Sequence, residues 1–215
     1  ATTEIYTRSL HDALPIYPDW VKRTMNFMQD EKIAVDFYGA EINGNFTSPL
    51  QDKITLQPGT NVRIDVVVRT KGIGHKFPGG TIDSNEPWLQ VFVQNENGET
   101  IYGSGLLDGK KFVDQSAHFF RGILLDKHGE FILKRNPHEW VTTLYNNSIP
   151  PGSAEVIHYE WNVPDNLNGG FKIIANLNYR KFNRRITETF LDEPIFLPIV
   201  TMASDTVSIV AHPQK

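Results

Sequence analysis

The sequence predicts a mostly antiparallel β domain, an immunoglobulin-like sandwich with a short N-terminal helix. Apolar spacing switches from a helical period to a period of two at Ile33. Residues 62–69 alternate Val62, Ile64, Val66 and Val68 with Arg63, Asp65, Val67 and Arg69, as a strand with one buried face does. Turn signals (Pro58-Gly59, Asn97-Gly98, His128-Gly129, Pro151-Gly152) recur between short strand-like runs.

Each element follows from local pattern. Residues 17–32 are expected to be a helix packed on the sandwich. Pro18 and Asp19 suit its first turn, and Trp20, Val21, Met25 and Met28 form an apolar stripe at helical spacing, with Trp20 and Met28 as the docking contacts. Residues 33–215 are expected to be the sandwich. Strands are read at residues 33–38, 54–56 and 62–69. Residues 88–94 and 100–104 form a hairpin across Glu96-Asn97-Gly98, and 119–125 pairs with 130–133 across Lys127-His128-Gly129. Further strands are read at 141–145, 154–163, 171–179 and 207–210. A short helix is read over 183–191, where Phe182, Ile186 and Phe190 recur every fourth residue. Residues 1–16 carry no apolar run that would make a signal peptide. Within them, EIYTRSLHDALPI resembles a translated sequencing-adapter tail, so residues 1–16 are set apart as a non-native or linker segment and the chain reads as truncated there.

Composition bounds the function. The chain has 215 residues, 40% of them hydrophobic, with 13 Phe, 7 Tyr and 4 Trp, enough for a sizeable core rich in strand-forming residues. A net charge of -4 leaves no footprint for nucleic acid. No stretch approaches the ~20 apolar residues of a membrane-spanning helix. There is no cysteine, which excludes disulfides, thiolate zinc sites, a thiol nucleophile, iron–sulfur ligation and the C-x-x-C-H attachment of haem c within this sequence. H-E-x-x-H, G-x-S-x-G, the P-loop and G-x-G-x-x-G are all missing, so the chain alone is not expected to be a complete enzyme.

The densest set of special residues is GIGHKFPGGTIDSNEPW at residues 72–88. Its glycines and Pro78 force a tight backbone path around His75, with Asp83 and Glu86 close behind. A neutral imidazole on a rigid loop suits haem iron or another metal, and the carboxylates could orient it or join it around a hard cation. The plainer alternative is a loop buttress whose imidazole bonds to backbone. His118, beside Phe119 and Phe120, is read as a second candidate ligand or as a hydrogen-bonded core histidine. His128 and His138 fall in turns and loops, and His158 lies within a strand. Arg180, Lys181, Arg184 and Arg185 form a basic cluster, whose plain reading is a solvated face.

The ordered runs GHKFPGGTIDSNEPWL, IYGSG, AHFFR, NSIPPGSA and LNYRKFNR resemble one family: the β region of large bacterial multihaem c-type cytochromes, related to the cytochrome c554 group and often followed by tetratricopeptide repeats. The resemblance spans about residues 20–211. It implies an accessory β domain of an exported electron-transfer protein, periplasmic or extracellular. Haem c would be carried by a haem-bearing region of the same polypeptide, with none covalently bound to this cysteine-free part. It implies that His75 or His118 could reach a haem as a distal ligand, and that Arg180, Lys181, Arg184 and Arg185 could pair with haem propionates. Two other functions stay open: a carbohydrate-binding module using Trp140 and Tyr145, and a metal-dependent hydrolase using His75, His118 and Asp83.

Overall fold

A computed structural model describes residues 18–50, 53–133, 136–190 and 195–211. The segment set apart above, residues 1–16, lies outside them. The described chain is mainly β, a sandwich of two sheets. Helix α1 (Pro18–Gln29) leads into β1 (Ile33–Ile42), β2 (Asn45–Thr47), β3 (Lys53–Leu56) and β4 (Asn61–Thr70). Then come β5 (Glu86–Asn95), β6 (Thr100–Ser104), β7 (His118–Phe119), β8 (Gly122–Leu125) and β9 (Thr142–Asn146). The chain closes with β10 (Ala154–Asn162), β11 (Gly169–Arg180), helix α2 (Arg184–Phe190) and β12 (Ile199–Ala211).

One sheet has the order β10-β4-β1-β2 and the other β3-β12-β11-β5-β6, with β7 added beside β5. All strand pairings among the described residues are antiparallel except β3 with β12, in keeping with the mostly antiparallel expectation. The period of two in β4 does what the sequence predicts: Val62, Ile64, Val66 and Val68 are buried and meet Leu89, Val91, Val93, Ile173, Leu177 and Ile209 of the facing sheet. The outer face of β5 is covered too. Trp88 packs there with Val113 and Phe119, and its indole Nε1 donates to the Gly105 carbonyl at 3.0 Å.

Helix α1 docks through its last turn. Met28 packs on the core, and Gln29 Nε2 donates to the Thr201 carbonyl at 3.0 Å. Trp20 does not share this role, being 67% exposed. It lies eight positions earlier, about 12 Å along the axis, so a helix held by its last turn does not seat it on the core. The turn at Lys127-His128-Gly129 forms as read, with Asp126 Oδ1 accepting from the His128 and Glu130 amides at 2.8 and 2.9 Å. The ladder differs, because β8 pairs with β9 and only an isolated bridge joins Leu125 to Phe131. The run 119–125 is split between two sheets, with β7 on β5 and β8 in a two-stranded hairpin.

Candidate functional site

The loop after β4 is pinned at its centre. Phe77 is buried in the core, its ring centroid lies 5.8 Å from that of Phe120, and its amide and carbonyl exchange hydrogen bonds of 2.8 Å with Ile149. Asn85 Nδ2 donates to the Gly79 carbonyl at 3.2 Å, and the Ser84 hydroxyl donates to Thr81. These bonds fix residues 77–85 while leaving His75 exposed at the loop's shoulder. The imidazole lies against Gly79, where a Cβ would fall well inside contact distance of the ring.

The His75 tautomer follows from its one partner. Nδ1 lies 2.8 Å from the Lys76 carbonyl, which can only accept, so Nδ1 carries the proton. Nε2 then keeps its lone pair and has no partner among the described residues. His75 lines an open pocket of about 390 Å³ together with Met28, Ile73, Pro78, Asn85, Tyr179 and Lys181, among others. Lys181 is exposed there and has no carboxylate partner among the described residues. Asn85 Oδ1, buried at the same pocket, also has no hydrogen-bond partner.

His118 sits in a different frame. Its Nε2 lies 3.0 Å from Glu155 Oε1 and 2.9 Å from Asn147 Nδ2, and its ring meets Phe120 edge-on at 5.1 Å. Burial raises the Glu155 carboxyl, but the hydrogen bond and charge of His118, with the Asn147 amide, outweigh it and hold the group below its usual range. The nitrogen that would ligate iron is thus already engaged, which favours the structural role for His118.

Asp83 and Glu86 do not join His75. Glu86 opens β5 directly opposite Arg180 on β11, and the two form a buried ion pair. Burial raises the Glu86 carboxyl, opposed by the Arg180, Arg121 and Arg184 guanidinium groups, leaving it above its usual value. Asp83 lines another pocket, beside Glu86 and Arg184. No group of His, Asp and Glu among the described residues converges as a metal site, so the expected His75–Asp83–Glu86 centre is corrected. The physical reason is strand parity, which turns Glu86 onto the outer face of β5 beside Trp88, where Arg180 neutralises it. The His75, His118 and Asp83 set of the hydrolase reading does not converge either.

The basic cluster is likewise divided. Arg180 is 2% exposed, bonded to Glu86 and, through Nη1, to the Lys111 carbonyl at 2.8 Å. Arg184 is buried, donating to the Ile195 carbonyl at 3.2 Å and to Glu188 at 2.9 Å. Lys181 and Arg185 alone are solvated. Trp140 and Tyr145 are exposed beside Val141 and Leu144, and the Tyr145 hydroxyl is spent on the Phe119 carbonyl at 3.3 Å. Sequence reasoning missed Glu155 and Asn147 as the partners of His118, and Arg121 as a neighbour of Glu86. All are brought in by pairing of distant strands and loops.

No family model matches the chain, and no curated protein matches it in sequence. Several solved structures are similar to it. A penta-haem cytochrome c552 from Thermochromatium tepidum superposes with a TM-score of 0.52 at 13% identity, over 85% of this chain and 41% of that one. The C-terminal domain of Wzt gives 0.39 at 11% identity over 84% of this chain and 75% of that one. The CARDB domain of the PF1109 protein from Pyrococcus furiosus gives 0.33 at 13% identity over 84% and 94%. This chain spans well under half of the cytochrome, and the likeness is one of fold: a β domain that also occurs within a multihaem protein.

Proposed function

We propose that this chain is an accessory β module of an exported multihaem c-type cytochrome, and that His75 offers Nε2 as an axial ligand to a haem carried by another region of the polypeptide. The observation that carries the reading is the division of labour on the His75 ring. Nδ1–H is held by the Lys76 carbonyl, Nε2 has no partner among the described residues, and the exposed ring lines an open pocket. A metal-ligating histidine keeps one nitrogen free and has the other fixed by a hydrogen bond. Gly79 supports the ring from behind, so the imidazole is oriented before any iron arrives. Lys181, on the same pocket, supplies an unpaired ammonium for a haem carboxylate. Arg180 and Arg184 are left out of that role, because their charges are committed to Glu86 and Glu188.

When bound, the haem supplies one-electron transfer. This chain's part would be to present the imidazole and hold its tautomer, with Ile73, Pro78 and Met28 supplying apolar surface in the same pocket. Export to the periplasm or cell surface goes with this reading, since c-type haem is attached there. The test uses a haem c peptide that carries its own proximal histidine and an open sixth position. Adding the 215-residue protein should convert its spectrum to the low-spin bis-histidine form. H75A should lose most of that affinity, while H138A, altering another exposed imidazole, should keep it. Equal binding by H75A would sink the proposal.

A further inference from the structure

A second pocket is lined by Glu86 and Asp83, and by arginines that outnumber these two carboxylates. It has a volume of about 100 Å³ and is lined by Arg121, Arg184 and Arg185 over an apolar floor that includes Phe112, Phe119 and Phe131. Arg184 is 5% exposed at its side chain, and its guanidinium is held between the Phe112 and Phe196 rings at 5.4 and 4.8 Å. Two of its nitrogens have partners, but its buried Nε has none.

Arg121 is the more unusual member. It is half-buried, with its guanidinium carbon 4.0 Å from the centre of the Phe119 ring, and its Nε is enclosed without a hydrogen-bond partner. No carboxylate pairs with it among the described residues. Of the acidic groups nearby, Glu86 is taken by Arg180 and Glu188 by Arg184, while Asp83, which also lines the pocket, pairs with neither Arg121 nor Arg185 among the described residues. Burial makes the Arg121 cation less favourable; the Glu86 charge opposes this, and the neighbouring Arg185 charge adds a smaller penalty. A guanidinium removed from water without a counter-charge costs free energy, and buried cations in folded proteins are paired.

We propose that the Arg121, Arg184 and Arg185 pocket binds one carboxylate-type anion, with the planar fork of Arg121 taking the carboxylate and the Phe112, Phe119 and Phe131 side chains taking a small apolar body. A carboxylate suits this site because two parallel N–H donors of a guanidinium match its two oxygens. The carboxylate can come from a free organic acid or from an acidic side chain of another polypeptide. The site is independent of the His75 pocket and does not rest on haem ligation.

Titration with sodium acetate and sodium benzoate, against sodium chloride at equal ionic strength, tests this. The expected result is a saturable shift of the Arg121 and Arg184 Nε–H resonances by carboxylate and none by chloride. Benzoate should bind more tightly than acetate. R121Q should weaken binding roughly tenfold or more, and the exposed R185Q should weaken it by less. R121Q should also keep its melting temperature in chloride within a few degrees, because it removes an unpaired cation. Saturable binding of the free acids assigns the site to small molecules. Binding confined to a short acidic peptide assigns it to a protein partner and still supports the carboxylate chemistry. No carboxylate-specific shift with either probe, a shift that survives in both variants, tighter binding of inorganic phosphate than of acetate, or collapse of R121Q in chloride would each overturn the site.

Discussion

His75 and His118 carry the same side chain into opposite situations. His75 stands on a loop whose backbone is anchored two residues later by Phe77, and its ring rests on a glycine. One nitrogen is used locally and the other is left open. His118 enters β7, pairs across to Leu89, and points Nε2 at Glu155 and Asn147 from distant strands and loops. An imidazole becomes structural when tertiary contacts claim both its position and its donor nitrogen. It stays free for chemistry when the backbone alone fixes it.

The largest expected difference between them is in stability. H118A removes a hydrogen bond to the Glu155 carboxylate and an edge contact with Phe120, and leaves the half-buried Glu155 with a weaker set of partners. Losing a hydrogen bond to a charged group costs about 1–3 kcal/mol. At about 2–4 °C per kcal/mol for a chain of this size, H118A should melt several degrees below wild type by calorimetry. A melting temperature unchanged from wild type would show that the Glu155 pair contributes nothing.

The same pair should show in the pH dependence. The folded Glu155 carboxyl titrates below its usual 4.5, so the folded state binds its proton less readily than the unfolded chain does. The resulting stability is present above pH 4.5 and is lost as the pH falls through the lowered folded value. H118A removes the hydrogen bond and the charge that do the lowering. The gap in unfolding free energy between wild type and H118A should therefore narrow as pH drops below 4.5. Denaturant titrations at pH 7 and at pH 3 check this, and a gap that widens in acid would refute the assignment.

How much of this contrast could be read from the sequence depends on the range of the contacts. Period-two alternation exposes β4 and β10 directly, and the glycine-rich run around His75 announces a constrained loop. The turn at 127–129 is equally plain. The partner of the strand before it is not, because β9 sits beyond the nearer run at 130–133. The first half of β12 is not legible as a strand, because Ala203, Ser204, Asp205 and Thr206 interrupt the apolar alternation. Asp205 is there for another purpose: its Oδ2 accepts the Phe37 amide at 2.8 Å, beside the bulge in β1. The Glu86–Arg180 pair spans 94 positions and rests on register between β5 and β11, which no local pattern encodes. Local chemistry is enough to describe the constrained loop around His75, which is built locally, but not the arginines whose partners are decided by sheet pairing.

A smaller change tests the loop rather than the ring. In G79A the new methyl would meet the His75 imidazole and force it to turn, while the methyl itself faces an exposed side chain that can move. Stability should change by under about 1 kcal/mol, but affinity for the haem c peptide should fall toward that of H75A. Binding equal to wild type would mean that Gly79 does not orient the imidazole.

The smallest expected effect is the most informative for the comparison. H75A removes an exposed ring whose only hydrogen bond goes to its neighbour's carbonyl, so the Lys76 carbonyl passes to solvent at little cost. Exposed substitutions of this kind fall within about 0.5 kcal/mol, a shift of about 2 °C or less. The loop does not need the ring for its shape, because Phe77 with Ile149 and Asn85 with Gly79 hold it independently. H75A and H118A measured side by side in chemical denaturation should therefore separate clearly, with H75A superimposed on wild type. If H75A instead lost as much stability as H118A, the imidazole would be part of the loop's architecture, and its open nitrogen would be incidental rather than reserved for a ligand.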